Sequence, residues 1–174
     1  MGGLGHQHIA LVTGHLASSD QALQRSRGFR QGMQALELDA SQMLEVPFVS
    51  TAVSQISEMR QRQPKVPALV YSNDLLAIRS IRTAHVAGLS VPHDLSVVGF
   101  DGIALGEDLT PMLSTIIQPN ADIGRHSEAL LVQALSNGAA LTSNASLTLD
   151  HGFRAGESCA QAALPSQRIS STSA

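Results

Sequence analysis

Three polar groups in this chain have the chemistry to hold a small hydroxylated or anionic ligand: the guanidinium of Arg25, the Asn73-Asp74 pair and the carboxylate of Asp101. A guanidinium offers a rigid fork of N–H donors to two hydroxyls or to a carboxylate. A carboxylate accepts hydroxyl donors, and an amide both donates and accepts. The settings of these residues are as informative as their types. Asn73-Asp74 follows the apolar run Ala68–Ser72, and Asp101-Gly102 follows the apolar run Leu95–Phe100. In parallel α/β sheets, ligands bind outside the carboxyl ends of the strands. Both clusters therefore stand where such a sheet presents a site.

The elements that must position them read as alternating strands and helices. Ile9–Thr13 is a fully apolar strand, and Asp20 is the expected N-cap of a helix from about 21 to 38. Phe29, Met33 and Leu36 form its apolar face at the spacing of i, i+4, i+7. Met43–Phe48 reads as a strand with Pro47 at its end or on an edge. Ser50-Thr51 can cap a polar helix that stops before Pro64. An amphipathic helix then runs from Asp74 towards Gly88, and Val91-Pro92 turns the chain into the strand ending at Asp101. Ser114–Gln118 is a short β-branched strand, and Asn120 can cap a helix to Leu135 that stops at Asn137-Gly138. Leu147–Leu149 and Gly152–Arg154 are weaker strands, and the Ser-rich end from Pro165 is expected to be disordered. The alternation implies a parallel α/β layer.

Composition bounds the function classes. With 174 residues, of which 43% are hydrophobic, the chain can build one core, made mostly of aliphatics because aromatics are 3%. A net charge of −3 argues against this chain itself gripping nucleic acid, which needs a clustered basic surface. The single Cys159 forms no internal disulfide and fits a reducing compartment. No apolar run approaches the roughly 20 residues that span a bilayer, and the start, MGGLGHQH, lacks the pattern of a secretory signal. A soluble cytoplasmic protein is the expectation. Its opening is abrupt, since a buried-type strand follows Gly2-Gly3 with no earlier strand to neighbour it, and this suggests the later part of a longer protein.

No catalytic or metal constellation stands out. His6 and His8 lack a carboxylate or Cys cluster to complete a metal site and read as solvated surface residues. Gly2, Gly3 and Gly5 precede their strand, whereas a phosphate-cradling loop must follow one. Neither a Ser–His–acid set nor a pair of carboxylates is arranged for catalysis.

The segments LGHQHIALVTG (4–14), RSRGFRQGM (25–33), SNDLLAIRSIRTAHVAGLSVPHDLSVVGFDGIALGEDLTPMLSTIIQP (72–119) and LDHGFRAGES (149–158) carry a family likeness. In order and spacing they resemble the effector-binding region of lac-repressor-type (LacI/GalR) transcriptional regulators. The final RAGES departs mildly from the usual R-x-S-T ending of that family. The resemblance implies a type I periplasmic-binding-protein-like α/β fold, a parallel sheet flanked by helices, in which two lobes close on a small effector. This chain would hold mainly the C-terminal lobe, residues 1–110 and 141–164, with 111–140 as one strand–helix piece of the N-terminal lobe and 165–174 as a tail. A helix-turn-helix head and the first part of the N-terminal lobe precede the matching point in relatives.

The resemblance also weights the individual residues. Arg25 would contact the effector, since the family places such an arginine three residues before the helix glycine, here Gly28; the alternative is an arginine snorkelling at the helix edge. Asp101 would bind ligand rather than merely cap its own turn with Gly102. Asn73 would line the cleft, with Asp74 as the helix cap. Ser19 and Gln21 fall in a loop that lines the cleft in relatives, with ordinary loop residues as the alternative. Phe48 falls near where relatives stack an aromatic on the effector, although a lone Phe is more often core. The implied protein is a non-enzymatic sensor of a sugar or related effector, without cofactor or metal. It would act as a homodimer that touches operator DNA only through the missing head. Half of a sugar-binding transport protein, or a Rossmann-like enzyme, are the rivals; the first lacks a visible signal peptide and the second a glycine loop after its first strand.

Overall fold

The computed structural model describes residues 1–46, 66–136 and 147–162. The apolar runs become a six-stranded sheet of β1 (Ile9–Thr13), β2 (Met43–Glu45), β3 (Ala68–Tyr71), β4 (Ser96–Asp101), β5 (Ser114–Ile117) and β6 (Gly152–Arg154), in the order β2-β1-β3-β4-β5-β6. The first five are parallel, and β6 joins β5 antiparallel. All five parallel strands therefore end along one edge. Among the described residues there are three α-helices: α1 (Asp20–Ala35), α2 (Asp74–Val86) and α3 (Asn120–Ser136).

Side-chain alternation along the strands divides the core between two faces. Ala10, Val12, Leu69, Tyr71 and Val97 pack with Leu76, Ala77, Ile81 and Ala84 of α2. Ile9, Ala68 and Val70 face the other way and meet Phe29 and Met33 of α1. Because both faces are covered, the strands are apolar throughout rather than alternating, as in β1, where every residue is buried. Burying each large aliphatic side chain contributes about 1.5–3 kcal/mol.

Several local expectations change in three dimensions. Ser19, not Asp20, caps α1: it has extended backbone and its Oγ accepts from Ala22 N at 3.2 Å. Asp20 is the first helical residue, where its charge favours the helix dipole. The helix stops at Ala35, so Leu36 is 54% exposed and Leu38 packs on the core in its place. His6 is buried, not a solvated surface histidine. The segment following β6 crosses the start of β1, where Ala160 O bonds to His6 Nε2 at 2.9 Å and Ala162 N donates to Leu4 O.

The proposed strand–helix piece at 111–140 divides. Its strand, β5, is bonded into the sheet beside β4, from Val98↔Ser114 to Asp101↔Ile117. Its helix, α3, buries none of its residues and leaves Ile123, Leu131, Val132 and Leu135 exposed. The expected helix after Thr51 and the tail from Pro165 lie outside the described residues, as does Phe48.

Candidate functional site

The site grows from the carboxyl edge of the sheet. β1 leads into the loop that Ser19 closes as the cap of α1, which carries Arg25 on its second turn. β3 ends at Tyr71, and Ser72-Asn73 turns the chain into α2. Asn73 has extended backbone and its Oδ1 accepts from Leu76 N at 2.9 Å, so Asn73 is the N-cap. Asn73 thus takes the cap expected of Asp74 while still lining the cleft. Asp74 instead turns inward and is fully buried.

Arg25 joins these ends. Its Nη1 donates to Ser72 O and its Nη2 to Asp101 Oδ1 at 3.0 Å. The guanidinium carbon lies over the Phe100 ring, 4.2 Å from its centroid, in a cation–π contact. Gln118, just past β5, donates from Nε2 to the same Asp101 oxygen. Among the described residues, Asp101 Oδ2 has no hydrogen-bond partner. Burial pushes the Asp101 carboxyl above its ordinary pKa; Arg25 and Gln118 pull it down, and nearby Asp74 adds to the rise.

Around this centre lies an open cleft of about 240 Å³ lined by Ser19, Gln21, Ala22, Arg25, Ser72, Asn73, Leu75 and Asp101. The lining mixes forked donors, a carboxylate, two amides and one half-exposed Leu75. Such a surface can hold a small molecule that has several hydroxyls and an apolar C–H face. Asp101 itself has φ of 131°, and Gly102 follows at 76°. A non-glycine residue in that region is strained, and such strain gathers at ligand sites.

The edge geometry matches a known architecture. The family described as periplasmic binding protein-like domain matches residues 2–159. The chain belongs to that family. Within the periplasmic binding protein-like domains it is 33% identical over 132 residues to the HTH-type transcriptional regulator DegA of Bacillus subtilis, covering 72% of this chain and 38% of the relative. The lac repressor dimer bound to operator and the anti-inducer ONPF superposes with a TM-score of 0.78 at 26% identity, over 91% of this chain and 54% of that one. A LacI family transcriptional regulator from Arthrobacter sp. FB24, in complex with lactose, gives a TM-score of 0.72 at 29% identity, over 89% of this chain and 57% of that one. This periplasmic binding protein-like domain thus resembles the corresponding region of LacI-family regulators. The chain spans about 40% of the length of the curated relatives it matches.

Five of the six residues singled out from the sequence, Arg25, Asn73, Asp101, Ser19 and Gln21, meet on this one cleft; Phe48 lies outside the described residues. Sequence reasoning missed Ser72, Leu75, Phe100 and Gln118. Gln118 carried a usable signal, because it stands at the carboxyl end of a strand, as Asp101 does. Phe100 read only as core. Among the described residues, no group of His, Cys, Asp and Glu is placed to hold a metal ion. No described helix is long and apolar enough to cross a membrane.

Proposed function

We propose that this chain is the effector-sensing region of a DNA-binding transcriptional regulator of the LacI/GalR type, and that its ligand is a sugar or related small molecule. The observation that carries the reading is the cleft itself: among the described residues, Asp101 is held by Arg25 and Gln118 on one oxygen and has no partner on the other. Among the described residues Arg25 spends two of its five N–H donors on protein oxygens, and its remaining donors suit ligand hydroxyls. Asn73 uses its carbonyl as a cap and keeps its NH₂ group for the cleft. Leu75 supplies the apolar side.

In this reading residues 1–110 and 141–164 form the C-terminal lobe and α3 belongs with the N-terminal lobe. The effector closes the lobes and favours one of two arrangements that differ in operator affinity, so that control comes from differential binding. The whole regulator is a homodimer in the cytoplasm, contacts DNA through a separate head, and is no enzyme. Asp101 and Arg25 bind and orient; neither has a nucleophile to activate, and no cofactor takes part.

The test is calorimetric titration of the chain with a panel of mono- and disaccharides and sugar phosphates. At least one sugar binding, with affinity lost in Asp101→Asn, is the expected result. Absence of binding across the panel, or binding indifferent to Asp101→Asn, would overturn the assignment.

A further inference from the structure

Asp74 is 0% exposed and lies outside the cleft lining. Both of its oxygens are engaged. Oδ2 accepts from Gly102 N at 2.8 Å and from Ile103 N at 2.9 Å, while Oδ1 accepts from the Thr115 hydroxyl at 2.6 Å. Its position as the first residue of α2 sets the charge against the positive end of the helix dipole. Among the described residues no cation pairs with it. Room for the carboxylate comes from Gly99 in β4, where any Cβ would overlap Asp74 Oδ1.

A buried carboxylate without a counter-ion is costly, so what it holds is informative. The two amides it grips follow Asp101 immediately. Asp101 has φ of 131° and Gly102 has φ of 76°, two successive residues on the positive side. Gly102 is also pressed to Ile117, whose Cα would lie 2.8 Å from an added Cβ. A strained backbone persists only where its surroundings over-determine it. Asp74 supplies that determination from the helix side, and Thr115 ties the same carboxylate to β5.

We propose that Asp74 is a positioning residue for the cleft: by clamping the Gly102 and Ile103 amides it holds the Asp101 carboxylate towards Arg25 and Gln118. Its functional meaning rests on the effector-cleft reading, but the clamp can be read without ligand. Asparagine can keep the acceptor oxygen and turn its NH₂ to Thr115; alanine keeps neither.

The experiment is amide hydrogen exchange by NMR on the full 174-residue chain, with wild type, Asp74→Ala, Asp74→Asn and Thr115→Val. In Asp74→Ala the Gly102 and Ile103 amides exchange at least tenfold faster than in wild type, relative to β1 and β3 amides, and Asp74→Asn restores most of the protection. Arg25 side-chain protons also lose the upfield shift imposed by the Phe100 ring. Thr115→Val, which leaves Oδ2 untouched, changes the two amides less than threefold. Uniform acceleration across the sheet would overturn the proposal by making Asp74 a general stability residue. Local acceleration with an unmoved Arg25 shift would overturn it by detaching the clamp from the cleft. Should Asp74→Ala not fold, Asp74→Asn decides alone: the weaker neutral acceptor moves both amide protons upfield, and unmoved resonances would refute the clamp. A wild type that binds no sugar sinks the functional reading and leaves these readouts intact.

Discussion

Arg25 and Asp101 are 76 residues apart in the chain and 3.0 Å apart in space, with the Arg25 side chain 16% and the Asp101 side chain 27% exposed. One comes from a helix and the other from a strand end. Phe100 stacks under the guanidinium, and Gln118 completes the shared oxygen. The pair is thus held by protein groups alone, from two distant parts of the chain.

Arg25→Lys is the sharper mutation of this pair. A lysine keeps the charge but offers a point donor in place of a planar fork, and it cannot hold Ser72 O, Asp101 and the Phe100 face together. Sugar affinity is expected to fall at least tenfold by calorimetry, with a stability loss of about 1–3 kcal/mol from the weakened bonds. Wild-type affinity in Arg25→Lys would show that ligand does not need the fork.

Ligand binding should depend on pH through Asp101. Its folded pKa is raised, mainly by burial. The sign follows: its contribution to stability is present below the ordinary carboxylate value and is lost as pH rises through the raised value. The ionised form accepts ligand hydroxyls, so affinity should rise over the same range while folding stability declines slightly relative to Asp101→Asn. Calorimetry from pH 4 upward checks this, roughly spanning the carboxylate range. A flat affinity profile in wild type would rule it out.

Asn73 has two roles that mutation can separate. Asn73→Ser keeps an N-cap oxygen and removes the amide group; Asn73→Ala removes both. The serine variant should melt close to wild type and bind sugar weakly, whereas the alanine variant should also lose about 1 kcal/mol of stability. Denaturant unfolding alongside titration distinguishes them.

Gly99→Ala should be among the most damaging single-methyl additions. The new Cβ would overlap the buried Asp74 carboxylate, a rigid group held by three bonds. A loss of about 1–3 kcal/mol is expected from overpacking. Unchanged unfolding free energy would mean that Asp74 can retreat without cost.

Exposed α3 leucines should tolerate charge in this chain. Leu131→Glu and Leu135→Glu should leave the melting temperature nearly unchanged, because neither side chain is buried. Leu76→Ala, in the core of α2, should cost about 2–5 kcal/mol. A strong effect at Leu131 would show that α3 packs on the sheet in solution.

Much of the framework was legible in the residues alone. β-branched and aliphatic runs with turn residues between them produced the strands, and helical spacing produced α1 and α2, because periodicity is a local property of the chain. The rule that strand ends face ligand then singled out Asn73 and Asp101 before their neighbours were known. Capping was only half legible: polar residues clearly stood before each helix, but Ser19 against Asp20 and Asn73 against Asp74 were decided by backbone angles and by which side chain had another partner.

What only the tertiary structure decided was which distant groups meet. Asp74 became a buried clamp because β4 and β5 bring Gly102, Ile103 and Thr115 to it from 28, 29 and 41 residues away. His6 became buried because the chain returns over β1 after β6. Leu36 fell outside the core because α1 ended one turn early. The sequence by itself determined the alternating elements and the strand ends that carry the polar residues. Their pairing into a cleft depended on sheet order, which turns contacts dozens of residues apart into neighbours and which no local spacing encodes.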